Sequence, residues 1–262
     1  MESRGEDPPN IEDVDYFGLQ DACKRSRGEF AIFSNKRFAA RGRIGTVPLY
    51  WNPEKIVFSF GPDPTMEEFP EGHLYNAEHD RLVCWDPVYY DKPYEKIHVD
   101  ESVRIIRNLI KDAINLRINR CEAFLLTSGD GAALIDSFID FKKIESYSVF
   151  FSMDDEECIE YDEEQNRTMI FINKCYESPM HTLARFLNNH TTHKNLLCGL
   201  GCKELFSGED FKKDDMKRFA NVFAKYGLEL YTPFLDSNVI EYVLDMTTPK
   251  NRPIILEKLL GR

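Results

Sequence analysis

The chain has 262 residues, and its 33 Lys plus Arg against 45 Asp plus Glu leave a formal net charge of −12. Nucleic acid and anionic membranes both repel so acidic a surface, so neither is an expected partner. Hydrophobic residues at 42% and aromatics at 13% supply a packed core, which argues against wholesale disorder.

Residues 1 to 27 are polar, with Pro8-Pro9 and scattered acids. They read as a tail carrying one short helix near Tyr16–Lys24. The start, Met1 to Asp7, has no apolar stretch behind it and does not read as a secretory signal. No apolar run approaches the ~20 residues of a membrane span. The seven cysteines are odd in number and form no C-x-x-C pair, so free thiols in a reducing cytoplasm are expected.

A β-rich block follows. Phe30–Phe33, Arg37–Arg41, Arg43–Trp51 and Lys55–Phe60 read as short strands broken by Gly45, Pro48 and Gly61-Pro62. Close spacing of such strands predicts an antiparallel sheet. Pro87–Pro93, rich in Tyr and Pro, reads as a linker, and the chain divides near residue 98.

Helical periodicity then takes over. Val103, Ile106, Leu109, Ile110, Ala113 and Ile114 predict an amphipathic helix over Glu101–Asn119. Glu122–Leu126 is a buried-strand candidate, leading through Thr127–Gly131 into a helix over Ala132–Phe141. Tyr147–Phe151, Thr168–Ile172 and Asn195–Cys198 read as further strands, with a helix over Met180–Leu187 between the last two. Met216, Phe219, Ala220, Phe223 and Tyr226 mark a helix stopped by Gly227, and Asp236 reads as the N-cap of a helix carrying Val239–Leu244. Strands alternating with helices predict a mainly parallel sheet.

Some chemistry-bearing patterns have plain readings. The run Asp154–Glu157 reads as a solvated loop. His190 and His193 have no third ligand at a typical zinc spacing and read as surface residues, so no metal site is expected. Cys198 and Cys202 read as buried thiols.

Four segments in order carry more. Leu125–Ala133 is a strand that ends in a Ser/Gly loop and opens a helix, a common way to hold phosphates. The others are Leu196–Gly208, Tyr231–Asp236 and Glu257–Arg262. With Gly28–Ala31, Ala40–Tyr50 and Phe69–His73, they resemble the asparagine synthetase family, and within it the asparagine-synthetase-domain-containing branch. The resemblance runs over residues 28–262. It implies a partial antiparallel glutaminase-like sheet at 28–98, after the tail at 1–27. A doubly wound ATP-pyrophosphatase-like domain follows at 99–262.

The resemblance also implies where chemistry is lost. The family's glutaminase uses a cysteine after the initiator Met as nucleophile; Glu2 stands there, so no glutamine hydrolysis is expected. Against the motif S-G-G-x-D-S this chain has Ser128, Gly129, Asp130, Gly131, Ala132 and Ala133. The magnesium Asp is replaced by Ala132 and the second Gly by Asp130. In the second motif Lys203 replaces the other magnesium Asp, while Glu204 is kept. Lys258 matches a lysine that contacts phosphates in the family. Ser128, Gly129, Asp130, Gly131, Glu204 and Lys258 are therefore the candidate nucleotide-binding residues, with ATP and magnesium as cofactors implied by resemblance alone. Three functions follow. The first is a non-catalytic binding or scaffold module with a protein partner. The second is an ammonia-using, ATP-dependent amide synthetase. The third is a nucleotide-binding regulator without turnover.

Overall fold

The computed structural model describes residues 1–86, 98–121, 123–127, 129–139, 146–152, 158–162, 167–173, 179–209, 211 and 213–262. The sequence expectations for the linker at 87–93 and the acidic run at 154–157 lie outside these residues. The chain is mixed α/β, with antiparallel sheets and one mainly parallel sheet. Two compact units are present: Met1–Asp91 with Lys213–Asn221, and Lys92–Lys212 with Val222–Arg262.

In the first unit the opening residues are not a tail. Glu2–Gly5 form strand β1, paired antiparallel with β2 (Phe30–Ser34), and Ile11–Arg25 form helix α1. Backbone pairing at a sheet edge does not require apolar side chains, and Glu2, Ser3 and Arg4 point their polarity into solvent. A non-helical Gly18, at φ 73° and ψ 157°, kinks α1 in the middle.

β3 (Phe38–Arg41), β7 (His73–Asn76) and β8 (Arg81–Cys84) complete a sheet of order β1-β2-β3-β7-β8. β4 (Tyr50–Asn52), β5 (Val57–Ser59) and β6 (Glu67–Glu68) form a second sheet of order β5-β4-β6. The two-residue alternation of strand side chains divides the apolar residues of β2 between two cores. Ala31 and Phe33 join Leu49, Trp51, Phe58, Phe69 and Tyr75 in one cluster. Phe30 and Ile32 join Cys23 of α1, Leu74 and Trp85 in the other. Trp51 meets Phe69 edge to face at 5.2 Å, a favoured aromatic geometry.

In the second unit α2 spans Val99–Ile118 and buries Ile106, Ile110, Ala113 and Ile114, the stripe that the sequence spacing predicts. Full burial of each isoleucine contributes about 1.5–3 kcal/mol relative to exposure. The strands are β9 (Ala123–Thr127), β10 (Ser146–Ser152), β11 (Cys158–Asp162), β12 (Arg167–Asn173), β13 (Asn195–Cys198) and β14 (Glu229–Tyr231). Their order is β11-β12-β10-β9-β13-β14, parallel throughout except that β11 is antiparallel to β12.

The further helices of the second unit are α3 (Asp130–Asp136), α4 (Pro179–His190), α5 (Cys202–Phe206), α7 (Ser237–Met246) and α8 (Arg252–Leu259), while α6 (Lys213–Lys225) belongs to the first unit as far as Asn221. α3 begins two residues earlier than its apolar pattern suggests, because Asp130 and Gly131 open its first turn behind the non-helical Gly129. Among the described residues no helix is long and apolar enough to cross a membrane.

Candidate functional site

Three of the sequence motifs emerge side by side from the parallel sheet. β9, β13 and β14 are neighbours, and each ends in a motif loop at its carboxyl edge. β9 delivers Gly129–Gly131 into α3, β13 delivers Gly199–Gly201 into α5, and β14 delivers Thr232–Asp236 into α7. The strand that follows β9 in sequence lies on one side of it, and β13 lies on the other. The order therefore changes direction at β9 and β13, and in open parallel sheets that change marks the usual ligand crevice.

Two glycines hold the first two loops together. A Cβ built on Gly131 would lie 2.4 Å from the carbonyl oxygen of Gly199, and one built on Gly199 would lie 2.6 Å from the carbonyl carbon of Gly131. The backbones touch where any side chain would clash, so both positions require glycine. Gly129, at φ 141° with open space around it, uses glycine for conformation instead.

The candidate residues divide by environment. Asp130 is half-buried in the first turn of α3, and its Oδ1 accepts a hydrogen bond from Arg262 Nη1 at 3.1 Å. Gly131 is buried, Glu204 half-buried and Lys203 exposed. Ala132 has only 9% of its surface exposed. Lys258 Nζ donates to Asp100 Oδ1 at 2.5 Å, so its charge is directed to the first turn of α2. That bond, and then the ammonium charge, hold the Asp100 carboxyl below the usual range. Ser128 lies outside the described residues.

Sequence reasoning missed Arg262 and Asp100 as partners. Both are exposed charged residues far in sequence from the groups they meet, and no local pattern marks such pairs. Cys198 and Cys202 are buried, as expected. Burial, followed by the nearby Asp130 and Glu204 carboxylates, pushes the Cys202 thiol well above its ordinary value. A thiol held protonated in this way is a poor nucleophile.

The donor set at these loops does not suit a magnesium ion. That hard cation takes oxygen ligands, with carboxylates foremost. The two positions expected to supply them offer the Ala132 methyl and the Lys203 ammonium, and of the carboxylates at these loops, Asp130 and Glu204, Asp130 is already paired with an arginine. Among the described residues no group of three or more His, Cys, Asp or Glu is placed to hold a metal ion.

Comparison adds no family to this geometry. No family model matches the chain, and no curated protein matches it.

Proposed function

We propose that the chain is an asparagine-synthetase-like protein whose nucleotide chemistry has been lost, and that it works as a non-catalytic binding module for another protein. The observation that carries this reading is electrostatic. Adenylation needs a metal bridged between carboxylates and phosphates, set against a loop free of negative charge. Ala132 and Lys203 provide no carboxylate, and Asp130 places one in the loop beside its own counter-ion, Arg262. Lys258, the one cation matching a phosphate contact in the family, is paired with Asp100. In this reading the first unit is a shortened glutaminase-like sandwich and the second an ATP-pyrophosphatase-like domain. The two motif loops at β9 and β13 and the order of the parallel sheet support it.

The test is asparagine formation from ATP, aspartate and ammonium, followed as pyrophosphate release. The purified chain is expected to release none above the protein-free rate. Aspartate-dependent release would favour the ammonia-using synthetase.

A further inference from the structure

The first unit contains a buried carboxylate that lies outside the three motif loops. Glu29 is fully buried at the entrance to β2, and its carboxylate accepts three consecutive backbone N–H groups. Oε1 accepts from Ile44 N at 3.0 Å, and Oε2 accepts from Gly45 N at 2.6 Å and Thr46 N at 3.1 Å. Three successive amides turned toward one anion make a concave receptor, or nest. Gly45 adopts φ +76°, which turns its neighbours' N–H groups inward.

The same loop is held from the other side by Arg41, which has 0% exposure. Its Nη2 donates to Gly45 O at 2.6 Å, its Nε to Val47 O at 2.9 Å and its Nη1 to Phe69 O at 2.6 Å. The loop's donors thus face Glu29 and its acceptors face Arg41. Gly42 lies directly against the carboxylate, where a Cβ would come within 3.0 Å of Glu29 Cδ. Burial raises the Glu29 carboxyl above its ordinary value, and the three amides with Arg41 favour the ionised form against that burial.

We infer that residues Ile44–Thr46 form a carboxylate-binding site that the chain fills with its own Glu29, so that a free small carboxylate takes the place of the side chain when it is removed. The ligand class follows from the donors. Three amides converging on two oxygens suit a planar carboxylate, and chloride offers only a single point of contact. The ligand's size follows from the truncation. Glu29→Ala keeps Cβ and vacates one methylene and the carboxylate, the size of acetate. Glu29→Gly vacates one carbon more, the size of propionate. A ligand that binds the folded state alone raises its stability in a saturable way.

The experiment is thermal melting of wild type, Glu29→Ala and Glu29→Gly near neutral pH, in sodium acetate, propionate or chloride at equal ionic strength. Both variants are expected to melt below wild type. Acetate should restore Glu29→Ala more than propionate does, and propionate should restore Glu29→Gly more than acetate does, each saturably, with wild type indifferent. The same rank order of salts in both variants and in wild type would overturn the inference. If neither variant folds, amide hydrogen exchange of wild type decides. Protection at Ile44, Gly45 and Thr46 equal to that of β2 and β3 supports the nest, and exchange at the rate of unstructured chain overturns it.

Discussion

Arg117 Nη1 donates to Asp236 Oδ2 at 2.9 Å with both residues buried, joining the last turn of α2 to the start of α7 across 119 positions of sequence. The same aspartate caps α7, since its Oδ1 accepts from Asn238 N at 3.1 Å. Arg117 also donates to Ala113 O at 2.9 Å, which satisfies part of its guanidinium within its own helix. Asp236, at the end of the Tyr231–Asp236 segment, therefore has a structural role as cap and buried counter-ion.

Removing one partner leaves a buried charge uncompensated, at a cost of about 3–5 kcal/mol. Arg117→Met and Asp236→Ala are each expected to lose that much in urea denaturation, Asp236→Ala with about 1 kcal/mol more for the lost cap. The double variant should lose less than the sum of the two. Strict additivity would show that the pair does not act as a unit.

Phe234 has 0% exposure and sits in the 3-10 turn Pro233–Leu235 just before that cap. Phe234→Ala should cost about 3–5 kcal/mol through lost burial and the cavity left behind. Lys203→Ala, at an exposed position, should stay within about 0.5 kcal/mol of wild type. Equal melting temperatures for the two variants would place Phe234 outside the core.

The sequence made much of this legible, for reasons that can be stated. Ile106, Ile110, Ala113 and Ile114 repeat at helical spacing, and α2 appears where they predict. β11 was not legible. It is an antiparallel edge strand whose residues Cys158–Asp162 mix charged with apolar types, and its pairing with β12 is a tertiary event. β7, β8 and β14 leave no signal for a related reason, since each opens on a polar residue and carries no more than three apolar ones. α8 carries no helical signal in the sequence, because its apolar residues mark no single face. Of the candidate site, the loop after β9 was legible as a strand-to-helix turn, and the segments after β13 and β14 only as motifs, because α5 and β14 are too short to leave a pattern. Their adjacency was not, because it depends on β13 pairing with β9. One available signal went unused. Arg117 lies on the α2 stripe four residues after Ala113, and a charge on an apolar stripe implies a buried partner.

The backbone contact between Gly131 and Gly199 makes a steric demand. Gly131→Ala and Gly199→Ala should each cost about 1–3 kcal/mol, as overpacking in a close-packed interior does. Differential scanning calorimetry would measure the loss, and a neutral result for both would mean that the two loops do not touch.

The Lys258–Asp100 pair makes a pH-dependent demand. Asp100 is titrated below its ordinary value in the folded chain, so the folded state gives up this proton more readily than the unfolded one. The pair's contribution is therefore present above the unfolded carboxyl value of ~3.9 and is lost as pH falls through the lower folded value. In an NMR titration, Lys258→Met should return the Asp100 carboxyl toward its ordinary midpoint, and added salt should do so in part. An unchanged midpoint in Lys258→Met would show that the lysine is not its partner.

The proposal that the loops at β9 and β13 do not support magnesium–ATP chemistry can be checked by calorimetric titration of the full chain with ATP, with and without magnesium. We expect no magnesium-dependent heat from wild type, and its appearance in the triple variant Asp130→Gly, Ala132→Asp, Lys203→Asp. Tight magnesium-dependent binding by wild type would contradict the account.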